Sequence, residues 1–269
     1  MKQMLAHSKT YKVHKKIGEG GFGVVFLVQD ITTDPNFRKP LALKVIKEAK
    51  LDLCLRDYYL KISNLGLSNV VSFYGVEYLD QKFGLLYEYI QGPNLRDYIK
   101  EEKCSKKIKN LIIQICVTLS KLHQNEMFHG DLDFENLLVH AKRGIIFIDF
   151  DPRFNVARRN LHKKAIEADL ENLREMLCEI IESFPEISIE TQSFLFSLAT
   201  EIEEMDSNEL LYKFSNLNEE QGLSYEYNTP NKPIDSNEKF YTRVIENRGL
   251  RPLELAVFVL VSLIIFFPG

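Results

Sequence analysis

The chain has 269 residues, of which 45% are hydrophobic and 27% charged, and it carries a net charge of −4. This is ordinary globular composition with enough apolar side chains for a sizeable core, in one large domain or in two lobes that share a cleft. The negative balance, with no long basic run, excludes wholesale nucleic-acid binding, so no nucleic acid is expected as a partner.

Four cysteines, Cys54, Cys104, Cys116 and Cys178, lie far apart without a CxxC pair, which points to reduced thiols and not to a zinc site. The opening "MKQMLAHSKTYKVHKK" has no apolar core of the secretory type. A cytoplasmic setting is expected from both.

Residues 11–90 read mainly as strands. "YKVHKKIGE" and "GVVFLVQD" flank a glycine cluster and predict a hairpin, and "KPLALKVIK" is a third β-rich run. The stretch 48–63 places Leu51, Leu55, Tyr58, Tyr59 and Ile62 at helical spacing. "VVSFYGVEYL" and "KFGLLYEYI" follow as two strands with "DQ" as the turn between them.

Past "QGPN" the pattern becomes helical. Asn94 with Asp97 predicts a capped helix start. Residues 105–123 repeat Ile108, Leu111, Ile112, Ile115, Leu119 and Leu122 along one side. "NLLVH" and "GIIFIDF" are short β-like runs, and helical patterns return at 163–183, 188–205 and 207–215. A strand-rich half and a helix-rich half joined near Gly92 imply an α+β architecture of two lobes, 11–91 and 92–215, with a cleft between them.

Residues 216–249 are polar, contain prolines at 230 and 233, and read as a linker. In the tail 250–269, the stretch "LAVFVLVSLIIFF" (255–267) has Ser262 as its only polar side chain. It is shorter than the roughly 17–25 residues of a spanning helix. A membrane anchor, a buried terminal element and an oligomer contact are all open, with the anchor leading because the stretch offers no polar face to solvent.

Three groups of residues point to chemistry. "IGEGGFGVVF" clusters Gly18, Gly20 and Gly23, and such a loop either brings backbone amides close to phosphate oxygens or turns a plain hairpin. A strand, not a helix, follows Gly23, which excludes a dinucleotide-binding turn. Lys44, within the apolar strand "LALKV", is either a strand-edge lysine or a cation awaiting an anion. Finally, "HGDLDFEN" (129–136) and "FIDFD" (147–151) gather Asp131, Asn136 and Asp149. An amide oxygen with a carboxylate suits Mg²⁺, and Asp131 is then left to accept the proton of an attacking hydroxyl.

Over residues 11–215 these motifs together resemble protein kinase-like phosphotransferases. The glycine loop is similar to GxGxFGxV, Lys44 to the lysine of the third strand, "HGDLDFEN" to HRDLKxxN, and "DFD" to DFG. The resemblance implies a bilobal kinase fold using ATP and Mg²⁺ on a protein substrate of serine/threonine type. It further implies that Gly18, Glu19, Gly20, Gly21, Phe22, Gly23, Val25 and Ala42 surround the nucleotide and that Lys44 meets its phosphates. Asp131 would be the base, and Asn136 and Asp149 the metal ligands. Tyr87 stands as gatekeeper before a hinge where Glu88 and Ile90 offer backbone bonds to adenine, and Asp169 resembles the aspartate that braces the catalytic loop.

The chain departs from that pattern at several points. Gly130 replaces the arginine that meets a phosphorylated activation loop, Asp133 replaces a lysine near the γ-phosphate, and Asp151 replaces the DFG glycine. Family spacing places Tyr58 where the helix carries the acidic partner of Lys44, so the neighbouring Asp57 is the best acidic substitute. The segment from Asp149 to Asp169 is short, without APE, and holds the basic cluster Arg153, Arg158, Arg159, Lys163 and Lys164, suited to an acidic substrate or an anionic lipid. A nucleotide-binding pseudokinase and a small-molecule kinase are the alternatives to an active protein kinase.

Overall fold

The computed structural model describes residues 3–5, 10–47, 53–79, 82–102, 104–151, 159–205 and 207–220. The first half of the chain builds a six-stranded antiparallel sheet. Its strands are β1 (Gln3–Leu5), β2 (Thr10–Glu19), β3 (Gly23–Asp30), β4 (Pro40–Ile46), β5 (Phe73–Leu79) and β6 (Lys82–Glu88), in the order β1-β2-β3-β4-β6-β5. Strand β1 has no counterpart in the sequence reading, because three residues are too few to show an alternation. Helix α1 (Leu53–Asn64) is inserted between β4 and β5 and packs on β5.

Strand alternation divides the buried side chains between the two faces of the sheet. Tyr11, Val28, Leu43, Leu79 and Leu86 close a small cluster on one side. Ile46, Phe73, Leu85 and Tyr87 join the main core on the other, together with Tyr58, Tyr59 and Ile62 of α1. Register fixes the neighbours of Lys44, which lies opposite Val25 on β3 and Leu85 on β6, while Val25 lies opposite Gly18 on β2.

The second half is helical: α2 (Leu95–Glu101), α3 (Ser105–Gln124), α4 (Arg159–Ser183), α5 (Ile189–Glu204) and α6 (Ser207–Glu220). Asn94 caps α2 by accepting the Asp97 N–H at 2.8 Å, as the pair of residues predicts. Helix α3 is the central element, buried on nearly every side from Ile108 to His123. The hairpin of β7 (Leu137–His140) and β8 (Gly144–Phe147) lies against it.

Helix α6 passes the boundary expected at 215 and continues to Glu220, because Leu210, Phe214 and Leu217 prolong one apolar stripe into the core. The expected linker therefore begins at least as late as residue 221. The remainder of that linker and the tail 250–269 lie outside the described residues. Among the described residues no helix is long and apolar enough to cross a membrane.

Backbone contacts join the two halves. Val71 N–H donates to Phe147 O at 3.0 Å, and Phe147 N–H donates to Asn69 O at 2.8 Å. At Gly92, where the chain leaves the sheet, a β-carbon would fall 2.0 Å from Val139 O, so only glycine allows β7 to approach so closely.

Candidate active site

The glycine loop is a tight turn: Gly20 N–H donates to Gly23 O at 3.0 Å, and Lys47 N–H donates to Phe22 O at 3.0 Å. A β-carbon at Gly23 would meet Val45 O at 2.5 Å, whereas Gly20 and Gly21 have open space above them. The loop is thus pinned at Gly23 and bare at its tip. Glu19 is held at the rim by Lys16 and by Lys47 at 3.3 Å, whose hydrogen bonds, that of Lys16 foremost, lower its pKa. Phe22, at the surface, places its ring centroid 5.8 Å from Lys44 Nζ.

Lys44 is largely buried in β4, and its ammonium is paired with Asp149, a residue 105 positions away. Burial in an apolar strand is costly for a cation unless an anion meets it, and Asp149 does so. Asp149 has φ +58, in the left-handed region that aspartate tolerates better than most side chains.

Asp57, expected as the partner of Lys44, is bound to Arg56 instead, with its side chain 46% exposed. The correction follows from helix geometry. Leu55, Tyr58, Tyr59 and Ile62 turn inward, and residue 57 lies about 200° round from Leu55, on the outer face.

The segment "HGDLDFEN" is ordered from beneath by Asp169 of α4, which is fully buried. Its carboxylate accepts His129 N–H at 2.7 Å and Gly130 N–H at 2.8 Å, and lies 2.9 Å from His123 Nε2. This is the bracing role expected of Asp169. The buried His129 ring donates from Nε2 to Ile148 O at 2.9 Å and accepts Asp131 N–H at Nδ1, 3.2 Å away. Burial lowers its pKa, with the Asp169, Asp131 and Asp149 carboxylates opposing, and a neutral ring is what these two bonds require.

Asp131 faces solvent. Asn136 Nδ2 donates to its backbone oxygen at 2.8 Å and its carboxylate at 3.1 Å, which turns the Asn136 amide oxygen away from Asp131. Asp133 does not stand loose in the cleft. Its carboxylate accepts Glu135 N–H at 3.1 Å and caps the 3-10 turn Phe134–Asn136, on which Asn136 sits. Arg96 stacks 4.3 Å over Phe134 and pairs with Glu179.

On the far side, Glu88 ends β6. Its N–H is taken by Ser72 O at 2.9 Å and its carboxylate by Arg143 at 2.6 Å, and Arg143 also donates to Ser68 O. Ala42 lies opposite Tyr87 in the sheet. Tyr87 is buried against Tyr59 and Phe73, and Ile90 is buried two residues past the strand. Of the basic cluster, Lys163 and Lys164 are exposed on α4, whereas residues 152–158 lie outside the described residues.

Sequence reasoning missed the hydroxyls of α1. Tyr58 donates to Phe128 O and accepts Phe128 N–H at 2.9 Å, and Tyr59 donates to Phe150 O at 3.0 Å. The available signal was a pair of tyrosines on an apolar helix face, since a buried phenol normally finds a polar partner.

A strand-rich lobe and a helical lobe, meeting at a lysine–aspartate pair beside two acid-bearing loops, define a phosphotransferase scaffold of the kinase type. Residues 11–171, more than half of the chain, match the protein kinase domain family, and the chain belongs to that family. It is 27% identical over 213 residues to the serine/threonine-protein kinase STY46 of Arabidopsis thaliana, covering 77% of this chain and 35% of the relative. It is 27% identical over 150 residues to the serine/threonine-protein kinase PrkC of Bacillus subtilis, covering 53% of this chain and 22% of the relative. With the probable serine/threonine-protein kinase MARK-C of Dictyostelium discoideum it shares 32% identity over 171 residues, 58% of this chain and 21% of the relative. The chain thus spans between a fifth and about a third of the length of these relatives.

Proposed function

We propose that the chain is an ATP-dependent phosphotransferase of serine/threonine type, with its catalytic unit running from residue 11 through α6. One observation carries this reading above the others. Lys44 of the sheet and Asp149 of the helical half are paired, and the same segment, through Ile148, is bonded to His129 beside Asp131. Lys44, Asp149 and the loop of Asp131 thereby share one connected frame, which supports reading them as phosphate-binding cation, metal ligand and base.

The donor set fits a magnesium nucleotide. Mg²⁺ takes hard oxygen ligands, keeps several waters, and needs only one or two protein side chains beside the phosphates. The Asn136 amide oxygen and the Asp149 carboxylate meet that need. When bound, Mg-ATP supplies the transferable phosphoryl group and the divalent charge that shields it. Lys44 then offsets phosphate charge, and the bare tip at Gly20 and Gly21 admits phosphate oxygens close to the backbone. Asp131 orients an incoming hydroxyl and accepts its proton, a role typically worth 10²–10⁴-fold. Asp133 has one carboxylate oxygen engaged by the Glu135 N–H, which ties it to its own turn.

A second reading, a nucleotide-binding module without turnover, draws on the position of Asp57, turned to Arg56 and away from Lys44. The two separate in one assay. The full-length chain is incubated with Mg²⁺, labelled ATP and a generic basic protein, beside Asp131→Asn and Lys44→Met. Transfer by the native chain, reduced at least about 100-fold in Asp131→Asn, is expected. Nucleotide-dependent thermal stabilisation without transfer in any version overturns the first reading in favour of the second.

A further inference from the structure

Two consecutive tyrosines of α1 carry bonds that the phosphotransfer reading has not used. Tyr58 and Tyr59 are 1% and 2% exposed. Adjacent helix residues point about 100° apart, so one helix can reach two separate loops through them. The Tyr58 hydroxyl satisfies both backbone groups of Phe128, the residue before His129-Gly130-Asp131. The Tyr59 hydroxyl is bound to Phe150 O, the residue after Asp149.

Ring packing reinforces both links. The Tyr58 and Phe128 centroids are 5.6 Å apart. Tyr59 meets Phe150 edge-on at 6.3 Å, and Phe150 lies 4.6 Å from the His129 ring. Because α1 also packs on β5, it ties the sheet to both loops at once. Burial raises both phenols, so they remain protonated donors throughout the neutral range. The bonds end on backbone groups and do not depend on the charge of Lys44, which Asp57 does not reach.

We propose that Tyr58 and Tyr59 are positioning residues whose hydroxyls hold the segments around Phe128 and Phe150, so that Asp131, Asn136 and Asp149 face one magnesium nucleotide. In this chain α1 sets the site through neutral bonds to the loop backbones and not through a carboxylate on the lysine. The proposal rests on the phosphotransfer reading for its catalytic consequence, but its effect on metal-dependent nucleotide binding is independent of turnover.

The test uses the full-length chain with Tyr58→Phe, Tyr59→Phe and, as control, Tyr11→Phe. Tyr11 is fully buried in the small cluster on the other face of the sheet, and its hydroxyl donates to Glu77 at 2.7 Å. The control therefore loses a comparable hydroxyl away from the site. Fluorescent ADP is titrated with and without Mg²⁺, and kcat and KM are measured for labelled ATP.

Loss of one hydrogen bond corresponds to an effect of about 3–10-fold. Tyr59→Phe is expected to reduce by that factor the gain in ADP affinity that Mg²⁺ confers, and to lower kcat. Tyr58→Phe, which removes two bonds, is expected to lower kcat by at least that factor with KM unchanged, and Tyr11→Phe to stay within about 2-fold in every readout. If the native chain binds Mg-ADP without transferring phosphate, and Tyr59→Phe still loses the metal-dependent gain, positioning stands and the transfer reading falls. If the native chain transfers phosphate and the two site variants behave like Tyr11→Phe, positioning is overturned and transfer stands. A native chain whose ADP affinity does not respond to Mg²⁺ overturns the proposal outright.

Discussion

A β-carbon on Gly130 would lie 2.2 Å from the carbonyl oxygen of Asp151. These are two of the positions at which the chain departs from the kinase pattern, and they are in contact with each other. Gly130 has φ +78, and Asp151 N–H donates to His129 O at 2.9 Å. The Asp151 backbone is laid directly over residue 130, in space that a side chain would otherwise need. Glycine at 130 is therefore required by the backbone path at residue 151, whatever side chain residue 151 carries.

Gly130→Ala is expected to destabilise the protein by about 2–3 kcal/mol, from a strained φ and a steric clash together. The clash is with a backbone oxygen, so Asp151→Ala in the same chain should give no relief. Urea denaturation of the single and double variants checks this. A Gly130→Ala chain as stable as the native one would show that the two segments part easily.

Asp169→Asn sets an NH₂ group against either the Gly130 N–H or the His129 N–H and the His123 ring, so one backbone donor loses its acceptor in both orientations. In a fully buried site that mismatch should cost about 3 kcal/mol. The measurement is the denaturant midpoint at constant m-value. A loss below about 1 kcal/mol would mean that the loop holds its shape without the brace.

Asp133 is expected to matter as a cap and not as a charge. Asp133→Ala should cost about 1 kcal/mol, and Asp133→Ser, which keeps an acceptor for Glu135 N–H, only a few tenths. Thermal melts of the two variants decide the matter. If alanine and serine behave alike, the carboxylate has some other use.

His129 gives the fold a pH dependence with a definite sign. Burial holds its pKa below the ordinary value of 6.5, so as the pH falls the unfolded chain takes up this proton before the native chain does. The contribution is intact above about pH 6.5 and is lost as the pH falls from there toward the native-state value, by at most about 1.4 kcal/mol per pH unit. Stabilities of the native chain and of His129→Gln are compared at pH 7.5, 6.5 and 5.5. The gap between them should narrow toward acid, and a constant gap would rule out this assignment.

Legibility differed from element to element. The glycine hairpin, the strand bearing Lys44, the capped helix after Asn94 and the amphipathic helix α3 rest on short-range patterns, and the structure has them at the expected places. The sequence pattern ends the last helix at 215 because the run around Leu217 is sparse, and only packing against the core shows that it still faces inward. Charge and closeness to Tyr58 in sequence point to Asp57 as the partner of Lys44. The helical period of its own neighbours places it outside, so that signal was present and outweighed.

What the sequence by itself determined was the set of parts: two lobes, a glycine turn, and a lysine and acids at kinase-like intervals. Each depends on residues near one another in the chain, where periodicity and steric preference act directly. What only the tertiary structure decided was which groups meet. The pairing of Lys44 with Asp149, the grip of Tyr58 and Tyr59 on Phe128 and Phe150, and the contact between Gly130 and Asp151 all join distant segments. Such contacts follow from how the lobes close and which helix face turns inward, and a rotation of α1 by one residue would exchange a buried hydroxyl for an exposed carboxylate.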